Sequence, residues 1–366
     1  MNKTQELIQR IIGMLKNGKL KAKDVPATDV RDCVLAELKL YKSTFLDEQY
    51  KEILRIYNDL CSRINDIDGD KGKCLLFLEG TLLCLQTISG AVLSLADRRY
   101  WEKWHRDELG DPEIDEIIDY IARKKDIRLL NYDFVDRYMQ MDFDMVYDSE
   151  HDMRYIPYKG RRMYFPSAWH EDRIIDYFRN LVSEQDDYSP HCYRKNGYEV
   201  LRGDVILDIG AAEGIFALDH LDEAGYIYLV EADEEWVKAL KQTFHNDGDK
   251  VKIIYGRVCR KTEGEIDVSI DDMFRDVEIN YIKMDIEGYE KDALEGADRL
   301  FSESKRLTCA ICSYHEQDAE EWITTYLQEK GYSTEHSRGY ICPDWCLEGR
   351  LEAQLRRGIV FGKKRK

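Results

Sequence analysis

The 366-residue sequence lacks an excess of positive charge, since 54 Lys and Arg residues stand against 72 Asp and Glu residues and the formal net charge is −18. A uniformly acidic surface repels the phosphate backbone of DNA and RNA. We therefore expect no nucleic-acid partner. The basic end GKKRK, residues 362–366, is a short charged tail of the kind that is usually only solvated.

The sequence also lacks a secretory start and a long uninterrupted apolar run. Its first 20 residues mix charges into a helical pattern, with no continuous apolar core and no small-residue cleavage site. The most apolar stretch, residues 74–96, is interrupted by Glu79 and Gln86. A helix buried in a bundle is therefore predicted there rather than a bilayer span. Together these features predict a cytoplasmic protein with no membrane partner.

The ten cysteines lack the arrangement of a zinc site. Cys309 and Cys312 lie in RLTCAICSYH, which is predicted to be a strand, with Cys342 and Cys346 farther along the chain. Residues three apart in a strand point to opposite faces and cannot chelate one ion together. Free thiols in a reducing compartment are the simplest interpretation.

Three regions of the chain differ in pattern. Residues 1–127 place apolar side chains at spacings of three and four, which predicts a helical N-terminal domain. Residues 128–170 alternate and are rich in Tyr, which predicts a β-rich connector of short antiparallel strands. Residues 171–366 alternate strands with helices, which predicts a Rossmann-like α/β domain with a mostly parallel sheet and helices on both faces. A homodimer through the helical domain is one arrangement that the sequence leaves open.

The stretch VILDIGAAEGIFAL, residues 205–218, predicts a strand that turns tightly into a helix. Ligands of parallel sheets bind beyond the carboxyl ends of the strands, where the winding direction switches. Gly210 is expected to allow the tight turn, and Gly214 to let the helix begin close to the ligand. Glu231 ends the next strand, in YLVEA, where a carboxylate can accept both hydroxyls of a ribose.

The loop residues favour one of two cofactors. A dinucleotide loop has the pattern G-x-G-x-x-G, but G-A-A-E-G lacks the second glycine, and Glu213 would face a pyrophosphate with like charge. S-adenosylmethionine has no phosphate and carries an ammonium and a sulfonium, both of which suit Asp208 and Glu213. A nicotinamide-dependent oxidoreductase and a non-catalytic adenosyl-binding or assembly module are the alternatives, the second disfavoured by the intact Asp208, Gly210, Glu231 and Asp285.

Three segments, VILDIGAAEG, VEAD and YIKMDIEGYEKDALEGA, resemble the FkbM-type methyltransferases, a branch of the class I S-adenosylmethionine-dependent fold. The resemblance covers about residues 180–362, and KMDIEGYE is its most specific part. It implies that residues 171–366 are an FkbM-like methyltransferase domain. It also implies O-methyl transfer to a hydroxyl of a sugar, a glycan, a polyketide or a similar small acceptor, with the Asp-x-Glu-Gly segment beside the methyl donor.

The predicted cofactor-binding residues come from the glycine loop, the end of the second strand and the Asp-x-Glu-Gly segment. The resemblance adds two residues of the segment SEQDDYSPHCY. The full set is Asp208, Gly210, Ala211, Glu213, Gly214, Glu231, Ala232, Asp285, Gln185 and His191.

Transfer to a hydroxyl also requires a group that removes its proton. His315 ends the strand in CSYHEQ, and imidazole titrates near neutral pH, so His315 is the predicted base. Asp285 and Glu287 are two apart on a segment expected to be extended, so both carboxylates should face the acceptor or orient the base. Glu290 is predicted to be a solvated helix residue. A divalent ion held by Asp285, Glu287 and His315 is an alternative that the spacing does not require, and no metal is predicted.

Overall fold

The computed structural model of the protein describes residues 110–124, 128–264, 266–343 and 355–364. The helices predicted before residue 110, including the apolar stretch 74–96, lie outside the described residues. Helix α1 (Pro112–Lys124) is present as predicted, with Pro112 at its first position. It buries Ile114, Ile117, Ile118 and Ile121, whose spacing places them on one face.

The predicted antiparallel strands of the connector are confirmed. After the short helix α2 (Val135–Met139), the chain forms β1 (Val146–Asp148), β2 (Met153–Tyr158) and β3 (Arg161–Phe165), which pair in that order. Strand β3 buries Met163, Tyr164 and Phe165. Residues 132–341 and 355–366 form one compact unit. The domain boundaries at residues 127 and 170 stay predictions.

The α/β part contains the predicted alternation of helices and strands. In chain order its elements are α3 (Glu171–Glu184), β4 (Val205–Ile209), α4 (Ile215–His220), β5 (Tyr226–Glu231), α5 (Glu234–Thr243), β6 (Val251–Tyr255), β7 (Arg257–Val258), β8 (Asp267–Val268), α6 (Ile270–Met273), β9 (Tyr281–Met284), α7 (Glu290–Glu295), α8 (Asp298–Glu303), β10 (Thr308–Cys312), α9 (Ala319–Glu329), β11 (Tyr332–His336) and β12 (Ile359–Lys364).

Seven strands form one sheet in the order β11-β12-β10-β9-β4-β5-β6. Strands β4, β5, β6, β9 and β10 are parallel, whereas β12 lies antiparallel between β10 and β11. The segment from β6 to β10 has the order 3-2-1-4-5 of a doubly wound fold, so the winding direction reverses between β4 and β9. The predicted mostly parallel sheet is confirmed. The structure also places the candidate crevice at the carboxyl ends of β4 and β9.

Two local features of this part depend on tertiary contacts. The segment YEKDALEGADRLFSES forms two helices, α7 and α8, instead of one. The break lies at Gly296, where a side-chain carbon would overlap the carbonyl oxygen of Cys259. Asp271 does not cap α6 but accepts hydrogen bonds from the backbone N–H groups of Arg299 and Leu300 at the start of α8. Ser269 caps α6 in its place.

Strand β11 was not predicted, because YSTEH is short, polar and only partly buried at the sheet edge. In the described part of the chain, no helix combines the length and the apolar character that a membrane crossing requires. The five cysteines in that part form no disulfide. Cys309 and Cys312 both lie in β10, as predicted.

Candidate active site

Gly210 joins the ends of the two central strands. Its φ is +73°, in the left-handed region that favours glycine. A side-chain carbon at this position would overlap the carbonyl oxygen of Asp285, at the end of β9. The predicted close approach is therefore present, but the near partner is the protein's own backbone.

Gly214 has a packing role, and its predicted role near the ligand stays a prediction. Its φ is +80°, and a side-chain carbon would lie 2.8 Å from Phe244 and 2.9 Å from Leu240. The missing side chain thus makes room for α5 to pack against the start of α4. The adjoining Ala211 is buried, and its N–H donates to the carbonyl of Val230 at 3.3 Å.

A pocket of about 330 Å³ opens beside this loop. Its walls include the apolar side chains of Val230, Trp236, Val258 and Ile286. Of the predicted site residues, five line it: Gly210, Glu231, Ala232, Asp285 and Glu287. Drug-sized ligands occupy mostly apolar pockets of roughly 300–1,000 Å³ with a few placed polar groups, and this pocket has that character.

Glu231 ties the end of β5 to the glycine loop. One carboxylate oxygen accepts from the N–H groups of Ala232 and Asp233 at 2.7 and 2.8 Å. The other accepts from the N–H of Ala212 at 2.9 Å. A carboxylate has about four acceptor positions, so Glu231 keeps acceptor capacity on the side where it lines the pocket.

Asp208 does not line the pocket. It is fully buried and lies opposite Lys283 of β9 in the sheet register, with Nζ of Lys283 3.2 Å from a carboxylate oxygen. The same ammonium donates to the carbonyl of Gly210 at 2.6 Å. Burial acts to lower the pKa of Lys283, but the charge of Asp208 outweighs it and the pKa is raised. The pair therefore holds the loop from beneath, and a direct contact of Asp208 with a cofactor stays a prediction.

Glu213 also turns away from the pocket. It is buried, and its carboxylate accepts a hydrogen bond from the hydroxyl of Tyr177 on α3. Burial raises the pKa of Glu213, although the Tyr177 hydrogen bond opposes this. Glu213 thus links the glycine loop to α3.

Five titratable side chains form a continuous row beside the pocket, which we call the imidazole row: Glu184, His191, Asp285, His315 and Glu290. Asp285 lies at its centre, with one oxygen 3.4 Å from Nε2 of His191 and the other 3.5 Å from Nε2 of His315. Each imidazole has a second carboxylate on its Nδ1 side. For His191 this is Glu184 at 3.8 Å, and for His315 it is Glu290 at 2.8 Å.

His315 is held by Glu290. Burial acts to lower the pKa of His315, but the hydrogen bond that its Nδ1–H donates to Glu290 and the charges of Asp285 and Glu287 outweigh it, so the pKa is raised. The prediction that Glu290 is solvated is wrong, since only 2% of the residue is exposed. Its carboxylate also accepts from the N–H of Ile286 at 3.1 Å, which fixes it between the β9 turn and the imidazole.

The prediction that Asp285 and Glu287 lie on an extended segment is wrong, although the two carboxylates do converge. The segment leaves the extended conformation at once after β9, because Glu287 has a φ of +55° and Gly288 a φ of +97°. A non-glycine residue in this region signals a constrained turn. The turn carries the Glu287 carboxylate to 3.7 Å from Nε2 of His315, with 84% of its side chain exposed.

Asp285 is surrounded by donors. The hydroxyl of Tyr193 donates to it at 2.7 Å. Burial acts to raise the pKa of Asp285, but His191, Lys283 and His315 outweigh it and hold the pKa well below its usual range. Asp285 therefore stays ionised at the point where the pocket meets the imidazole row.

The segment before β4 contributes His191 to the imidazole row, and the predicted cofactor contact of His191 stays a prediction. His191 is buried in the row, and its backbone N–H donates to Ser189 Oγ at 3.1 Å. Gln185 follows α3, and its backbone carbonyl accepts from the guanidinium of Arg194. A direct contact of the Gln185 side chain with cofactor or acceptor stays a prediction.

Sequence reasoning missed Glu184, Tyr193 and Lys283 and gave Glu290 the wrong environment. Only Lys283 carries a local signal, because a charged residue inside an otherwise apolar strand requires a partner when buried. The alternative of a divalent ion would use a different set of ligands. Candidate ligand atoms of Asp285, Glu290 and His315 lie within 4.8 Å of one another, so Glu290 takes the place predicted for Glu287. Nδ1 of His315 and Glu290 already lie at hydrogen-bonding distance, which favours a hydrogen bond there.

Comparison with known proteins supports the predicted resemblance. Residues 260–334, which include the KMDIEGYE segment, match the profile of the methyltransferase FkbM domain. The resemblance to FkbM-type methyltransferases is thus confirmed over this segment. No curated protein sequence matches the chain.

Several solved structures are similar at low identity. A methyltransferase FkbM from Methylobacillus flagellatus has 19% identity and a TM-score of 0.39, over 52% of each chain. This chain therefore spans about half the length of that protein. A precorrin-6Y C5,15-methyltransferase from Geobacter metallireducens has 12% identity and a TM-score of 0.33, over 46% of this chain and 83% of its own. TYW2 of M. jannaschii, solved in complex with AdoMet, has 14% identity and a TM-score of 0.32, over 58% and 85%. The fold assignment rests on the strand order.

Proposed function

We propose that this chain, with its FkbM methyltransferase segment at residues 260–334, is an S-adenosylmethionine-dependent O-methyltransferase. Its expected acceptor is a hydroxyl of a sugar, a glycan or a polyketide-like small molecule. The observation that carries the proposal is the meeting of the pocket and the imidazole row at Asp285, which lines the first and forms the centre of the second.

The pocket residues fit the proposed donor. Glu231 accepts three backbone N–H groups and keeps about one acceptor position for a ribose hydroxyl, and the walls formed by Val230, Val258 and Ile286 suit a flat apolar ring. Asp285 and Glu287 line the pocket and would place negative charge near the sulfonium of the donor. When bound, S-adenosylmethionine supplies a methyl group on a positively charged sulfur.

The arrangement of His315 suits a general base. Its Nδ1 lies 2.8 Å from Glu290, which favours the tautomer with the proton on Nδ1 and presents Nε2 as the proton acceptor. Asp285 and Glu287, at 3.5 and 3.7 Å from Nε2, stabilise the imidazolium that forms when a hydroxyl proton is taken up. A positioned base contributes about 10²–10⁴-fold to the rate, and holding the reactants in line contributes further.

The donor is tested first, by calorimetric titration of the full-length protein with S-adenosylhomocysteine and, separately, with NAD. Binding of the first and not of the second is expected. Binding of NAD alone would favour an oxidoreductase, and binding of neither would favour a non-catalytic module.

The base is tested with His315→Ala, using the first hydroxyl acceptor found by transfer of a labelled methyl group. Turnover should fall about 10²–10⁴-fold while affinity for S-adenosylhomocysteine stays close to that of the wild type. The exposed His245 supplies the matched control, His245→Ala, which should keep full turnover. Unchanged turnover of His315→Ala would remove His315 from the base role.

A further inference from the structure

The proposed mechanism uses only one half of the imidazole row. The other half consists of Glu184, the last residue of α3, and His191, the two approaching to 3.8 Å. Nδ1 of His191, on the side of Glu184, is buried and has no hydrogen-bond partner within the described parts of the chain. On its other side His191 reaches Asp285, which lines the pocket. Asp285 therefore separates the pair from the pocket in which the donor is expected.

Glu184 is placed where a negative charge is costly. It ends a helix, where the backbone dipole disfavours an anion. Burial is the largest effect and raises the pKa of Glu184 to about 7, with His191 opposing and the neighbouring carboxylates adding to the rise. The titratable groups that face it are His191, Asp285, Glu213, Glu287, Tyr177 and Tyr314. Only His191 among these brings a positive charge.

We propose that Glu184 and His191 form a proton-holding pair that responds to the charge on the methyl donor. The pair gives up a proton when a sulfonium is bound in the pocket and takes one up when the sulfur is neutral. This inference rests on the proposed function.

The role of the pair follows from how charge moves during methyl transfer. The bond between the methyl carbon and sulfur breaks with its electron pair left on sulfur, and a bond forms between that carbon and the acceptor oxygen. The hydroxyl proton passes to Nε2 of His315. One positive charge leaves the sulfur while one proton enters the row, so the total charge of the site is unchanged. A nearby cation favours the ionised carboxylate, and once the sulfur is neutral Glu184 again favours its protonated form.

The test compares two ligands that differ chiefly in one charge. S-adenosylmethionine and S-adenosylhomocysteine are titrated into the full-length protein at pH 7, in buffers of different ionisation enthalpy, to count the protons released. Because the pKa of Glu184 is about 7, the sulfonium ligand should release about half a proton more than the thioether. Glu184→Gln should abolish this excess. Asp176→Asn, which removes a carboxylate of the same helix that is 77% exposed, should retain it.

The outcomes separate the inference from the proposed function. Equal proton release by the two ligands, or an excess that persists in Glu184→Gln, overturns the proton-holding role and leaves the methyltransferase proposal intact. Binding of neither ligand overturns the proposed function itself. If Glu184→Gln does not fold, as judged from its thermal transition, Glu184→Asp decides. Glu184→Asp keeps the carboxyl group and should retain the excess proton release. If this variant loses the excess, the proton-holding role is overturned.

Discussion

At the scale of single residues, the charge state of His315 is set by the groups facing its two nitrogens. Glu290 lies 2.8 Å from Nδ1, and Asp285 and Glu287 lie within 3.7 Å of Nε2. A general base acts in its unprotonated form, so its pKa determines where activity is lost as the pH falls. Since the pKa of His315 is raised above 6.5, this loss should begin at a higher pH than for an ordinary histidine.

Glu290→Gln should move the acidic limb of the pH–rate profile to lower pH. The substitution removes a negative charge that favours the imidazolium, so the pKa of His315 falls. The measurement is kcat/KM as a function of pH. Glu223→Gln provides the control, because Glu223 is a carboxylate 3.9 Å from a different histidine, His220, and its removal should leave the limb in place. A limb that does not move in Glu290→Gln would show that Glu290 does not tune the base.

At the scale of elements, the candidate site depends on two turns that touch. The turn after β4 contains Gly210, and the turn after β9 begins with Asp285, whose carbonyl oxygen occupies the space of a side chain at position 210. Both turns use left-handed backbone, at Gly210 and at Glu287. Their contact brings the pocket and the imidazole row together.

Gly210→Ala should therefore destabilise the fold much more than an ordinary glycine substitution. Gly264 supplies the matched control, because its φ of +70° is nearly the same as the +73° of Gly210, yet a side-chain carbon there would meet nothing within 4 Å. Gly264→Ala should cost about 1 kcal/mol, and Gly210→Ala about 3 kcal/mol or more, because backbone must move. Urea unfolding measures both. Equal losses would mean that the turns separate easily.

At the scale of the whole molecule, the buried ion pair of Asp208 and Lys283 joins the two central strands of the sheet. Both side chains are buried, so removing one partner leaves an unpaired charge in the interior. The pair also holds the carbonyl of Gly210, which links the stability of the sheet to the shape of the pocket.

Lys283→Met should lower the free energy of unfolding by about 3–5 kcal/mol. The double variant Lys283→Met/Asp208→Leu should recover much of this loss, because no buried charge remains unpaired. Chemical denaturation of the two variants and the wild type gives the comparison. Lys238→Met, which removes an exposed ion pair on α5, should change stability little. A double variant no more stable than Lys283→Met would contradict this account of the pair.

Most elements of the α/β part and the crevice between β4 and β9 could be predicted from the sequence alone, whereas strand β11 and the break between α7 and α8 could not. The predicted elements depend on local patterns: apolar periodicity, turn glycines and the alternation of strands with helices. The sequence also located Glu231, Asp285 and His315, because each follows or ends a strand at the carboxyl edge of the sheet. The resemblance carried by KMDIEGYE added the family, and with it the expected O-methyl transfer.

How the site is assembled depends on contacts between residues that are far apart in the sequence. Glu290 and His315 are 25 residues apart, and Tyr193 and Asp285 are 92 apart, so no local pattern records their contacts. The left-handed turn at Glu287 replaced the expected extended segment, and Asp208 faces Lys283 beneath the loop because strand register pairs them. Burial then sets which side chains hold protons, since the charge that a group can keep depends on the groups packed around it.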